Sequence, residues 1–144
     1  MITPEFICIY WHGTTMPQWR HDCIDRLIEL YPTARKIESY GGENFFLSEP
    51  WRFKQCEENA RCLWIDNDIW LDSPLELTEK PALADEYHCG HWSLCWSGDN
   101  PDAFKDRNPA TIQYLVKSNV VDKIKITGSH WSSEADGSKI VRTY

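Results

Sequence analysis

The feature that most constrains this chain is an apolar run that carries two acids, Leu-Trp-Ile-Asp-Asn-Asp-Ile-Trp-Leu at residues 63–71. Large aromatic and β-branched side chains in such a run are typical of a fully buried strand, predicted here over residues 62–70. Side chains alternate along a strand, so Asp66 and Asp68 are expected on one face. Two like charges in a buried place need a positive partner, which a divalent cation would provide. The alternative is a strand that ends at Asp66, followed by a solvated Asp-Asn-Asp turn.

Length and composition describe one globular domain. The 144 residues, of which 42% are hydrophobic and 26% charged, are enough for a single core. The net charge of −7 argues against a broad surface for nucleic acid or for an anionic membrane. Because there is no apolar run of membrane-spanning length and no basic segment at the start, a cytoplasmic location is expected.

Strand and helix patterns alternate in the first half of the chain. Strands are predicted over residues 6–10 and 36–40, and helices over 16–30 and 48–60. This alternation predicts an α/β fold with a mostly parallel central sheet and flanking crossover helices. The second half is less regular, with strands predicted over 91–96 and 123–127, a helix over 108–119 and no regular structure after Gly128.

Four landmarks occur in order within residues 5–77. They are Ile9-Tyr-Trp-His-Gly13, Met16-Pro-Gln-Trp19, Ser48-Glu-Pro-Trp-Arg52 and Ile65-Asp-Asn-Asp68, the last followed by a Pro74-Leu75 turn. This order resembles small GT-A-type glycosyltransferases whose sugar-binding region contains the DXD motif, relatives of capsular and mannosyl transferases and of large clostridial glucosylating toxins. The chain departs from their pattern at Ala60-Arg61, where a Gly-Gly is usual, and at Glu49, where an Asp is usual.

The resemblance implies a single Rossmann-like GT-A-type domain over residues 1–144, with a shortened C-terminal half. Residues 1–77 would bind the nucleotide sugar, and residues 78–144 would form a reduced acceptor and sugar-pocket half. It also implies metal-dependent transfer of a sugar from a UDP- or GDP-sugar to an unknown acceptor hydroxyl, with retention of configuration. A chain this short could complete its groove by forming a homodimer.

The resemblance further assigns a cation, Mn²⁺ or Mg²⁺, and the residues that hold it. Asp68 and Asp66 would be ligands, and His130 in the late cluster Gly128-Ser-His-Trp-Ser-Ser-Glu134 is the candidate third ligand. Asp66 would also meet the ribose or act from beyond the ligand shell. The alternative for His130 is an ordinary loop histidine.

Four other residues are assigned to the donor on the same basis. Arg52 and Glu49 would contact the donor sugar or its diphosphate. Arg52 is also a candidate catalytic residue, together with Asp66 and Asp68. Trp11 would flank the base, and Trp131 would close over the nucleotide. The alternatives are a surface Arg–Glu pair for Arg52 and Glu49, and core packing for Trp11. The alternative for the whole protein is a non-catalytic relative that binds a nucleotide, a glycan or a partner protein.

Two further clusters have open interpretations. His88-Cys89-Gly-His91 with Cys95 has part of the spacing of a zinc site, which Cys56 and Cys62 could complete, although ordinary packing of reduced, buried thiols is the alternative. The polar residues Ser97, Asp99 and Asn100 would hydrogen-bond donor hydroxyls or merely form a turn.

Overall fold

The computed structural model describes residues 2–41, 48–84, 87–88, 91–106, 111, 114–115, 117–133 and 139–143. The continuous helices among these residues are α1 (Gln18–Leu30) and α2 (Ser48–Glu58), and a 3₁₀ helix spans Pro101–Phe104. The strands are β1 (Phe6–Trp11), β2 (Arg35–Tyr40), β3 (Cys62–Ile65), β4 (Ile69–Leu71), β5 (Ala82–Ala84), β6 (Tyr87–His88), β7 (His91–Trp92), β8 (Leu94–Trp96), β9 (Asp122–Ile124), β10 (Gly128–Ser133) and β11 (Lys139–Thr143). None of the described helices is long and apolar enough to span a bilayer.

A six-stranded mixed sheet forms the centre of the fold, in the order β2-β1-β3-β8-β5-β9. Strand β1 lies parallel to β2 and β3, β8 runs antiparallel to β3 and β5, and β9 is parallel to β5. Parallel neighbours need crossover connections, and α1 and α2 supply them between β1 and β2 and between β2 and β3. The predicted α/β class with a mostly parallel sheet is confirmed, and its GT-A type stays a prediction.

The inner strands β1, β3, β8 and β5 of the central sheet are buried on both faces, which explains their apolar sequences, whereas the edge strands β2 and β9 are mostly exposed. Side chains alternate, so that Ile7 of β1 and Leu63 of β3 belong to one core cluster and Cys8 and Trp64 to the other. Helix α1 packs its apolar residues into the first cluster, and α2 packs its apolar residues into the second. One helix therefore covers each face, and the carboxyl ends of β1 and β3 stay at the sheet edge between them.

The predicted continuous strand over residues 62–70 is wrong. Strand β3 ends at Ile65, Asp66-Asn67-Asp68 forms a turn, and β4 joins a second sheet of order β11-β10-β4. The turn is closed by the Ile69 amide, which donates to the Asp66 carbonyl at 3.2 Å. Asp and Asn favour such turns because their side chains satisfy nearby backbone groups, and here this preference outweighs the flanking β-formers. The turn is not solvated, however, because the side chains of Asp66 and Asp68 are only 17% and 18% exposed.

The second half also differs from the prediction. The strand expected over residues 91–96 is divided at Ser93 into β7, in a small hairpin with β6, and β8 of the central sheet. The segment after Gly128, expected to lack regular structure, forms β10 and β11. These strands were not predicted because the segment is polar and shows no apolar alternation. The described side chains at 129–132 are only half-buried, on an outer sheet, so polar residues are tolerated there. The helix expected over residues 108–119 begins outside the described residues. Within that range, the described residues 111, 114, 115 and 117 are helical.

Candidate functional site

The candidate site lies at the carboxyl ends of β1 and β3, where open α/β sheets commonly bind ligands. Trp11 ends β1, and the turn of Asp66, Asn67 and Asp68 follows β3. The Trp131 amide donates to the Asp68 carbonyl at 2.7 Å, which brings β10 to the turn. The structure therefore collects residues from distant parts of the sequence around one turn.

Asp68 lies between a histidine and an arginine. Its Oδ2 is 3.0 Å from His130 Nε2 and 3.8 Å from an Arg20 terminal nitrogen. Its Oδ1 is buried and accepts no hydrogen bond from the residues that the structure describes. The hydrogen bond to Asp68 raises the pKa of His130 above its ordinary value of 6.5; partial burial opposes this rise, and the charges of Asp68 and Asp66 add to it. His130, assigned from the resemblance, is thus brought to Asp68.

Asp66 is engaged by different residues. Its Oδ1 accepts a hydrogen bond from Trp64 Nε1 at 3.1 Å and is 3.3 Å from an Arg52 terminal nitrogen. The Arg52 side chain is only 4% exposed, and its guanidinium carbon lies 3.9 Å from the centre of the Trp64 ring. The structure therefore pairs Arg52 with Asp66. The side chain of Glu49 lies outside the described residues, so the alternative of an Arg52–Glu49 pair stays open.

Asn67 and Arg20 belong to the site, and the sequence interpretation missed both. Asn67 Nδ2 donates to the Tyr10 carbonyl at 3.1 Å and contacts the Met16 sulfur at 3.6 Å, which ties the turn to the end of β1. Arg20, in the first turn of α1, donates to Asn67 Oδ1. The available signal for Arg20 was its place in the first turn of a helix that follows a strand end, where it faces the ligand edge.

Two tryptophans assigned to the nucleotide have different surroundings. Trp11 is half-buried, lies 4.6 Å from the His12 ring centre and donates to the Thr15 carbonyl at 3.0 Å. Trp131 stacks on Trp70 of the neighbouring strand, with ring centres 4.9 Å apart and planes 3° from parallel. Trp11 lies beside Arg20 and the turn, whereas Trp131 packs on the outer sheet. Their roles toward a nucleotide stay predictions.

The residues at the turn fit a cation held mainly by its substrate. In the described part of the chain, no group of three or more His, Cys, Asp or Glu side chains is arranged to hold a metal ion. Mg²⁺ and related ions commonly take only one or two protein carboxylates and complete their shell with water and substrate phosphates. Asp68, with a buried Oδ1 that lacks a donor, and His130 beside it are suited to that mode.

The zinc interpretation stays a prediction, because Cys89 and the side chains of His88 and His91 lie outside the described residues. Cys95 is buried, and so are Cys56 and Cys62, which pack with Cys8 between α2 and the sheet. The sulfurs of Cys8 and Cys62 are 3.2 Å apart. A hydrogen bond with Cys62 and burial raise the pKa values of Cys8 and Cys56, whereas the hydrogen bonds from Cys56 and Cys8 lower the pKa of Cys62 to about 5. The three cysteines therefore form one buried, hydrogen-bonded cluster in which Cys62 is the most acidic thiol.

Ser97 and Asp99 make their contacts at the end of the sheet where β3 begins, opposite the end that carries Asp66 and Asp68. Ser97 Oγ accepts from the Cys62 amide at 2.9 Å and donates to the Asn59 carbonyl at 2.7 Å, so it lies where β3 begins. Asp99 pairs with Arg61 at 2.8 Å on the exposed surface. This geometry agrees with the turn alternative and not with contacts to a donor at the Asp66 edge.

No protein-family model matches the chain, and no curated protein or solved structure matches it. The resemblance to glycosyltransferases therefore depends on the order of the four landmarks. What the structure adds independently is the geometry around Asp66 and Asp68.

Proposed function

We propose that this protein is a metal-dependent glycosyltransferase that transfers a sugar from a nucleotide-diphosphate sugar to an acceptor hydroxyl. The observation that carries the proposal is Asp68, which follows the carboxyl end of a parallel strand and has one buried oxygen without a donor among the described residues. A carboxylate in that position is suited to a cation that arrives with phosphates.

Asp68 and His130 would hold the cation, which supplies positive charge where negative charge grows on the departing diphosphate. Arg52 and Trp64 hold Asp66 in one orientation, so Asp66 can offer its carboxylate to the ribose or to water beside the metal. Trp11 presents an aromatic ring at the end of β1, which suits stacking on a base. Retention of configuration, the role of Glu49 and closure by Trp131 belong to the proposal through the resemblance.

A second candidate function is donor binding without transfer. The observation that favours it is the burial of Arg52, whose guanidinium lies on Trp64 and pairs with Asp66. An arginine used in this way fixes the site and does not meet the diphosphate. Such a protein would bind the nucleotide sugar and leave it intact.

Calorimetric titration with UDP, UDP-sugars, GDP and GDP-sugars, with and without Mn²⁺, tests the proposal. We expect binding that depends on metal, and slow donor hydrolysis detected by mass spectrometry. Asp68→Asn keeps the size of the side chain and should weaken metal-dependent binding by about a hundredfold or more, since it removes a direct ligand. Asp99→Asn, at the opposite edge, is the matched control.

Equal donor affinity in the Asp68→Asn variant and the wild type would overturn the proposed site. Metal-dependent binding without hydrolysis or transfer would favour the second candidate. If no nucleotide sugar binds with or without metal, both candidates fail.

A further inference from the structure

Arg20 holds a position that neither the motifs nor the proposed function explains. One terminal nitrogen is 3.8 Å from Asp68 Oδ2, and the other donates to Asn67 Oδ1. The guanidinium carbon lies 5.0 Å from the ring centre of Trp11 and 4.7 Å from that of Trp19. The charged group is therefore held by two aromatic rings and by two side chains of the turn.

Arg20 is a cation at the place where Asp68 would hold a metal. Asp68 has two oxygens, one shared by Arg20 and His130 and the other buried without a donor from the described residues. A divalent cation at Asp68 would be repelled by the positive charge of Arg20, since both need the same carboxylate. Arg20 and the metal are thus expected to compete.

Arg20 is also able to leave. Its side chain is 23% exposed, and its contact with Asp68 is longer than the 3.3 Å contact between Arg52 and Asp66. A long side chain near solvent gives up a contact of this kind at little cost. Its planar fork of donors matches two phosphate oxygens at once, which a point charge does not.

We propose, on the premise of the proposed function, that Arg20 is an internal counterion of Asp68. Arg20 leaves Asp68 when Asp68 takes a divalent cation, and the released guanidinium binds the diphosphate of the nucleotide sugar. Removing Arg20 then has effects of opposite sign, tighter binding of the metal alone and weaker binding of the diphosphate. A residue that only stabilised the fold would weaken both.

The first measurement is Mn²⁺ binding without nucleotide, followed by electron paramagnetic resonance at one fixed pH for all proteins. The proteins are the wild type, Arg20→Gln and the control Arg35→Gln, which removes an exposed charge at the start of β2, the far end of the sheet. We expect Arg20→Gln to bind Mn²⁺ on the order of threefold to tenfold more tightly, and Arg35→Gln to equal the wild type.

The second measurement is UDP affinity at saturating Mn²⁺. We expect Arg20→Gln to bind UDP on the order of tenfold more weakly than the wild type, since a charge-assisted pair with the diphosphate is lost. Arg20→Lys keeps the charge and loses the fork. It should bind Mn²⁺ like the wild type and UDP with an intermediate affinity. If circular dichroism shows that Arg20→Gln does not fold, Arg20→Lys replaces it in both measurements.

The outcomes separate this inference from the proposed function. If the wild type binds Mn²⁺ and UDP but Arg20→Gln binds Mn²⁺ no more tightly, the counterion role is overturned and the metal site stands. If Arg20→Gln binds Mn²⁺ more tightly and UDP equally well, the transfer of Arg20 to the diphosphate is overturned. If no protein binds Mn²⁺, with or without UDP, the proposed function and this inference fail together.

Discussion

Asp66 and Asp68 are separated by one residue and are almost equally exposed, yet their cationic partners differ. Arg52, the partner of Asp66, is 4% exposed, and its guanidinium carbon lies 3.9 Å from the centre of the Trp64 ring. The partners of Asp68 are more accessible, since Arg20 is 23% and His130 39% exposed. The two acids therefore differ in how buried their cationic partners are and not in their own burial. We call Asp66, whose partner is buried, the fixed carboxylate, and Asp68, whose partners are accessible, the adjustable one.

The difference arises from the elements that supply the partners. Arg52 comes from α2, over a sheet face where the ring of Trp51 contacts those of Tyr10 and Trp64. Arg20 comes from the first turn of α1, at the edge of the sheet. Charges interact more strongly where water is excluded, so the Arg52 pair is the stronger and the costlier to break.

Removing Arg52, the buried partner of Asp66, is expected to have the largest effect on stability and tests the comparison most directly. We expect Arg52→Met to lower the free energy of unfolding by about 3 kcal/mol, because it leaves Asp66 half-buried without its cation. Arg20→Met should lower it by less than about 1 kcal/mol. Urea unfolding followed by tryptophan fluorescence measures both, and equal losses in the two variants would contradict the distinction between a fixed and an adjustable carboxylate.

A smaller effect is expected at Gly128, which begins β10 and lies opposite Leu71 of β4. A Cβ at this position would overlap the carbonyl oxygen of Trp70. Gly128→Ala should therefore displace β10, cost about 1–3 kcal/mol of stability and weaken Mn²⁺ binding, since His130 would move from Asp68.

Thr127→Ala, one residue earlier with an exposed side chain, is the control for the Gly128 variant. It should leave the free energy of unfolding and Mn²⁺ affinity unchanged. A Gly128→Ala protein that loses stability but keeps full Mn²⁺ affinity would show that β10 does not position a metal ligand.

The first half of the fold could be predicted because its signals are local. Helix α1 has apolar residues at helical spacing, β2 ends before Gly41, and Pro50 suits the first turn of α2. Strand β4 could not be separated from β3 in this way, because the residues on both sides of the turn are strong β-formers. Its separation depends on pairing with β10, which is distant in sequence, and such pairing leaves no local pattern.

The candidate site was predictable only where a motif names its residues. Asp66 and Asp68 were found from the pair of acids within the apolar run and His130 from the resemblance, and the structure places His130 beside Asp68. Arg20 was missed because its contact with Asn67 spans 47 residues and no periodicity marks it. The partner of Asp66 was missed for another reason, since Arg52 was expected to face a ligand and its burial depends on the packing of Trp64.

The smallest expected effect is a pH dependence at His130, measured with EDTA present to keep the protein free of metal. Its hydrogen bond to Asp68 raises the pKa of His130 above 6.5, so the protonated ring stabilises the fold. That contribution is complete below the unfolded value, is lost as the pH rises through the folded value, and amounts to less than about 1 kcal/mol for a group this exposed. Nuclear magnetic resonance titration, with the signal assigned through His130→Gln, should give a pKa above 6.5 that falls in Asp68→Asn. An unchanged pKa in that variant would show that Asp68 does not hold the ring, and the adjustable side of the comparison would then depend on Arg20 alone.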